Sequence, residues 1–134
     1  MINQVLIDQL IRHEGIELKP YRCTAGKLTI GVGRNLEDKG LSHSEALYLL
    51  HNDIDECVID LQRIFDLRNL PDAVRRVLID MRFNLGARGF RGFKKMINAV
   101  KAKDFHLASL EMMDSNWFIQ TGARSIELVK LMDA

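Results

Sequence analysis

Strand-like sequence is confined to one early stretch of this chain. Between Gly15 and Leu36, Thr29, Ile30 and Val32 sit among Gly26, Gly31 and Gly33, with Pro20 upstream. β-Branched residues set between glycines predict short strands and tight turns, hence a small, twisted antiparallel sheet. Everything around that stretch follows a helical period. Met1 to His13 carries Val5, Leu6, Leu10 and Ile11 at helical spacing, with Asn3, Gln4, Asp8, Gln9 and Arg12 around them, as an amphipathic surface helix does. Ser42 followed by Glu45 makes a capping box, and Leu50, Ile54, Cys57, Leu61 and Ile64 continue from it as an apolar stripe. The longest helix is therefore expected from Ser42 to about Phe65. Pro71 ends that region, and Asp72 is placed to cap the next helix, whose apolar positions are Val74, Val77, Leu78, Met81 and Leu85. Gly86, Gly89 and Gly92 then punctuate the chain before shorter helices at about 93–102, 105–113, 117–120 and 123–132. Strands near the start and helices elsewhere make the class α+β with segregated parts.

With 134 residues, 47% of them hydrophobic, the chain is expected to form one globular domain with a core of its own. No apolar run approaches the length of a membrane span, and the N-terminus lacks the basic start, apolar run and cleavage site of a leader, so a cytosolic protein without membrane insertion is expected. In that compartment Cys23 and Cys57 should stay reduced. The apolar stripe explains Cys57 by burial; nothing similar explains Cys23. The net charge is only +1, but it is uneven: nine basic residues against Asp80 alone lie between Arg75 and Lys103, and six acids against Arg63 alone between Glu45 and Asp66. A basic stretch of this kind suits an anionic polymer, either nucleic acid or bacterial wall, and equally a solvated helix face.

Several motifs fail on inspection. Gly31-Val32-Gly33 lacks the third glycine of a dinucleotide loop, and His13-Glu14 lacks the second histidine of a zinc-protease helix. No cofactor or metal is indicated, and His13, His43, His51 and His106 are scattered. What remains is an acid at a helix end, Glu14, with Cys23 nine positions on and Thr29 six further. By spacing alone, solvated or locally bonded side chains explain these three better than a common site does.

Their setting adds more. The run from Arg12-His13-Glu14-Gly15 through Pro20-Tyr21-Arg22-Cys23 to Thr29-Ile30-Gly31-Val32-Gly33 resembles the phage lysozymes of the T-even type, whose signature is Glu, eight residues, Asp or Cys, five residues, Thr. Asp72-Ala73-Val74-Arg75-Arg76, Phe83-Asn84-Leu85-Gly86, Gly92-Phe93 and Trp117-Phe118-Ile119-Gln120-Thr121 with Arg124 continue the resemblance in order to the C-terminal part.

The resemblance implies a two-lobed lysozyme-like fold: a small lobe at about 15–41, a connecting helix at about 42–65, and a helical lobe at about 66–134 joined by the N-terminal helix, with a glycan cleft between the lobes. Residues 33–40 are more compact here than in that family and the last helix is shorter, which implies a reduced small lobe. The implied activity is that of a monomeric muramidase acting on bacterial peptidoglycan, with inversion at the anomeric carbon. Glu14 is then the acid, kept protonated by desolvation in the cleft. Thr29 holds the water, Cys23 stands where aspartate is commoner, and Arg124 pairs with Glu14. Phe83, Asn84, Met96, Trp117 and Gln120 fall at or near the substrate, while Glu111 replaces an amide. A wall-binding domain without turnover is the second reading, and a nucleic-acid module, supported only by the basic stretch, the third. Such an enzyme would wait in the cytoplasm for a membrane pore or travel in a larger particle.

Overall fold

The computed structural model describes residues 2–134. The chain forms two compact units, one through Leu49 and one of Leu50–Ala134.

The first unit opens with α1 (Gln4–Glu14), started by Asn3, whose side chain accepts from the Leu6 N–H at 2.9 Å. Gly15 stops it, its N–H donating to the Ile11 carbonyl. β1 (Glu17–Arg22), β2 (Leu28–Gly31) and β3 (Arg34–Asn35) follow as an antiparallel sheet in the order β1-β2-β3. Tyr21 pairs with Thr29, and Thr29 with Asn35. Pro20, which cannot donate to a ladder, lies in edge strand β1, within the stretch where the register shifts. α2 (His43–Gln62) starts from the expected capping box: Ser42 N–H donates to Glu45 at 2.8 Å, and Glu45 N–H donates to the Ser42 hydroxyl at 3.2 Å. Its 20 residues span about 30 Å. Arg34 of β3 grips Glu45 at 2.6 Å and the Gly40 carbonyl at 3.2 Å, tying the sheet to the start of α2. The expected division attached the N-terminal helix to the helical part; here α1 falls in the same compact unit as the sheet.

The second unit carries the rest of α2, a 3₁₀ turn (Leu67–Asn69), α3 (Asp72–Arg91), α4 (Lys94–Lys101), α5 (Phe105–Met113), α6 (Asn116–Thr121) and α7 (Ala123–Met132). Asp72 does not cap α3 as expected. Pro71 is the extended residue before the helix, and Asp72 is its first member, with its carboxylate on Arg76 at 3.0 Å; an acid in a first turn still complements the helix N-terminus. Gly86, at φ 77° and ψ 171°, breaks α3 in two; a side chain would make that backbone costly. The core runs from Leu61 and Phe65 through Val77, Leu78, Met81 and Phe90 to Met112, Leu128 and Met132. Cys57 is buried beside it, as its stripe predicts, and both cysteines are free.

Candidate active site

Cys23, Thr29 and Glu14 all belong to the first unit, and its local structure explains how each is held. Residues 23–26 form a tight turn between β1 and β2: Gly26 N–H donates to the Cys23 carbonyl at 2.8 Å, and Cys23 N–H to the Lys27 carbonyl at 3.0 Å. The first residue of such a turn favours a side chain that accepts from backbone amides just ahead of it, the habit of aspartate and asparagine. Cys23 occupies that place. The backbone amides of Lys27 and then Ala25 favour the charged sulfur and hold the thiol below its usual pKa. The thiolate is thereby favoured beyond what an isolated cysteine allows.

Thr29 is the one buried side chain of the first unit among the described residues, 4% exposed. Its hydroxyl donates to the Lys27 carbonyl at 2.8 Å, so in this arrangement its oxygen remains free to accept. Glu14 ends α1 and lies against the β2–β3 turn. A Cβ on Gly33 would come within 2.8 Å of the Glu14 Oε2, and Gly33 itself holds φ +64°. A glycine is needed there on both counts, for backbone conformation and for space. Glu14 is exposed, so the desolvation expected of it is not supplied by this unit's own side chains.

The residues expected near substrate separate into two groups. Phe83, Asn84 and Gln120 are exposed. Met96, at 1%, and Trp117, at 6%, are core residues; Trp117 donates its indole N–H to the Asn84 Oδ1 at 2.9 Å and meets Phe93 edge to face at 5.9 Å. Met96 also lines a cavity of about 510 Å³ with Phe93, Lys94, Lys95, Glu111 and Asp114. Arg124 is found on Asp80, where the expectation put it on Glu14: its Nε donates to Oδ1 at 2.8 Å. Asp80 on α3 faces the first turn of α7 and supplies a carboxylate that the family pattern does not announce.

The basic stretch is partly spent inside the unit. Arg75 donates to the Leu70 carbonyl, Arg76 pairs with Asp72, and Arg82 and Arg91 both hold Asp60. Sequence reading passed over Asp60, counting it with the acidic run. Its position on the buried stripe side of α2, three residues after Cys57, was the signal that could have found it. Among the described residues no helix is long and apolar enough to cross a membrane.

Comparison with known proteins agrees with the resemblance. A family model described as phage lysozyme matches residues 11–130. The probable T4-type lysozyme 2 of Dictyostelium discoideum is 25% identical, over 96% of this chain and 93% of that protein. The probable T4-type lysozyme 1 of the same organism is 24% identical, over 94% and 92%. The pre-baseplate central spike protein Gp5 of Enterobacteria phage T4 is 24% identical over 97% of this chain and 28% of that protein. The first of these alignments runs over 159 positions, more than the 134 residues of this chain, so that relative carries segments that have no counterpart in the aligned part of this chain. With the match running from the last turn of α1 into α7, the chain belongs to the phage lysozyme family and has a lysozyme-type function as a glycoside hydrolase.

Proposed function

We propose that this chain is a muramidase that cleaves the β-1,4 bond between N-acetylmuramic acid and N-acetylglucosamine in bacterial peptidoglycan, with Glu14 as general acid and Cys23 and Thr29 serving the attacking water. The observation that carries the reading is the pair Cys23–Thr29, built into one hairpin, together with an acid whose carboxylate rests on the turn that follows β2. The glycosidic oxygen is a poor leaving group, so Glu14 gives it a proton as the C–O bond breaks. Water adds to the anomeric carbon from the opposite face, and its proton passes to the Cys23 thiolate. Thr29 accepts a hydrogen bond from that water and so aims it. Direct attack by water inverts the anomeric configuration. Glu14 is exposed in the free protein, so its desolvation is left to the bound glycan.

Phe83, Asn84 and Gln120 are the exposed side chains of the second unit proposed to meet sugar. Arg88, Lys94, Lys95, Lys101 and Lys103, basic residues of the stretch outside the ion pairs recorded among the described residues, suit an anionic wall. A phage or prophage origin, action as a monomer, and a cytoplasmic wait before release to the wall belong to the same proposal.

The test is clearing of outer-membrane-permeabilised bacteria by the wild type and by Glu14→Gln. The amide keeps the size and removes the proton. Activity should fall by a hundredfold or more, in line with the roughly 10²–10⁴ that general acids contribute. A Glu14→Gln protein that keeps a tenth of the rate would remove Glu14 from that role. A wild type that binds walls without clearing them would turn the reading to a binding domain.

A further inference from the structure

Asp60 sits on α2 with its side chain 11% exposed, and three short hydrogen bonds reach it from α3. Arg82 donates Nε to Oδ2 at 2.6 Å; Arg91 donates to Oδ2 at 2.9 Å and to Oδ1 at 2.7 Å. The two arginines stand on opposite sides of the break at Gly86. One carboxylate therefore fastens both halves of a helix whose own ladder is interrupted between them. Arg91 also donates to the Ala87 carbonyl at 3.1 Å, so the second half is held at its first turn as well.

The first half carries Phe83 and Asn84, proposed to meet sugar, and the second carries Arg88, proposed to meet the anionic wall, together with the glycine side of the cavity that Met96 lines. Arg82 is followed directly by Phe83 and by Asn84, the acceptor for Trp117. Arg91 lies between Gly89 and Gly92, both in the wall of the 510 Å³ cavity that continues into Phe93 and Lys94. Phe93 in turn packs on Trp117. A change of angle at Gly86 would move Asn84 and the Gly89–Gly92 wall relative to one another.

Net stability is a poor reason for such a group. Desolvation of Asp60 and Arg82 offsets much of the Coulombic gain, and what a hydrogen-bonded ion cluster supplies best is a single geometry. We propose that Asp60 is a positioning residue for substrate binding: by holding Arg82 and Arg91 it sets the angle across the Gly86 break, and so the spacing between Asn84 and the cavity wall. The proposal rests on the muramidase reading for the identity of the substrate.

The experiment measures kcat and KM on solubilised peptidoglycan strands for the wild type, Asp60→Asn and Arg91→Gln, with Trp117 emission and thermal midpoint recorded for each. Trp117 is the sole tryptophan, so its emission reports one site, where the indole meets Asn84 and Phe93. Arg91 is 40% exposed, so its variant should fold even where Asp60→Asn does not. KM is expected to rise about tenfold with kcat within twofold, accompanied by a shift in Trp117 emission. An unchanged KM with a lowered midpoint would reduce Asp60 to a stabilising ion and overturn the proposal. So would a fall in kcat at constant KM. If the wild type neither cleaves nor sediments with insoluble peptidoglycan, the muramidase reading fails and this inference with it. If the wild type is active and both variants match it, only the inference fails.

Discussion

Up to Leu49 the one buried side chain among the described residues is Thr29, while the unit from Leu50 onward closes an apolar core from Leu61 to Met132. In the first unit Val5, Leu6, Leu10 and Leu18 are exposed, and α1 has no buried residue. Its shape rests on directional contacts: a strand ladder, turns closed by backbone bonds, the capping box and the Arg34–Glu45 pair. The second unit rests on burial, which is non-directional and larger in sum. Candidate chemistry thus sits where the scaffold is thin, and stability where the candidate acid is not. Residues needed by the first unit should therefore show themselves in rate or acid response, and core residues of the second in melting.

The largest dissociation pairs Glu14→Gln with Leu78→Ala. Leu78 is fully buried, and its truncation should cost about 3 kcal/mol through lost burial and a residual cavity, seen as a lower melting midpoint with the rate per folded molecule retained. Glu14→Gln should do the reverse. Equal loss of both properties in either protein would break the comparison.

Cys23 comes next. Cys23→Asp places the residue that such a turn favours on the same backbone amides and should keep activity, whereas Cys23→Ala should lose most of it with little change in melting. A thiol-alkylating reagent should inactivate the wild type and spare Cys23→Asp, because Cys57 is 3% exposed. If Cys23→Ala clears walls at the wild-type rate, Cys23 has no part in the reaction.

A smaller effect is expected at Gly33. Gly33→Ala adds a Cβ within 2.8 Å of the Glu14 carboxylate at a positive φ. The backbone term is about 1 kcal/mol. The greater consequence is displacement of Glu14, for which a drop in clearing rate of about tenfold is expected from the sensitivity of catalysis to small misplacements. Gly40→Ala, at φ +65°, meets the same backbone problem with only the Leu36 carbonyl nearby at 3.8 Å, and serves as the control that removes strain from the explanation.

The mildest test is acid. Arg34 first, with the Ser42 backbone and hydroxyl, lowers the Glu45 pKa from 4.5 to about 2. A depressed carboxylate stabilises the fold above its unfolded value, and that contribution disappears as pH falls through the folded one. Protection of the amides at the start of α2 and in β3, relative to intrinsic exchange, should therefore fall between pH 4.5 and about 2. Asp60, which Arg91 and then Arg82 hold lower still, should keep α3 protected through the same range. Glu45→Gln should abolish the difference. Protection that falls in α3 first would reverse the order of the two units.

Local pattern was enough for most elements of this protein, but not for the 3₁₀ turn at Leu67–Asn69 or the half of α3 beyond Gly86. The Ser42–Glu45 box, the glycine-punctuated hairpins and the helices Phe105–Met113 and Ala123–Met132 lie where periodicity and capping residues put them, because each depends on neighbours a few positions away. The candidate site was legible as a spacing, Glu14, Cys23 and Thr29, and gained meaning from its resemblance to a family. What tertiary structure decided are the partners far apart in sequence. Asp60 looked like one more acid in an acidic run, and Arg82 and Arg91 like members of a basic one, until folding brought residues 22 and 31 positions apart onto one carboxylate. Arg124 went to Asp80, 44 positions away, and Asn84 to Trp117, 33 away. No periodicity encodes such choices, since a charge pairs with whichever opposite group packing delivers within about 3 Å, and several candidates of equal chemistry compete until the core is closed.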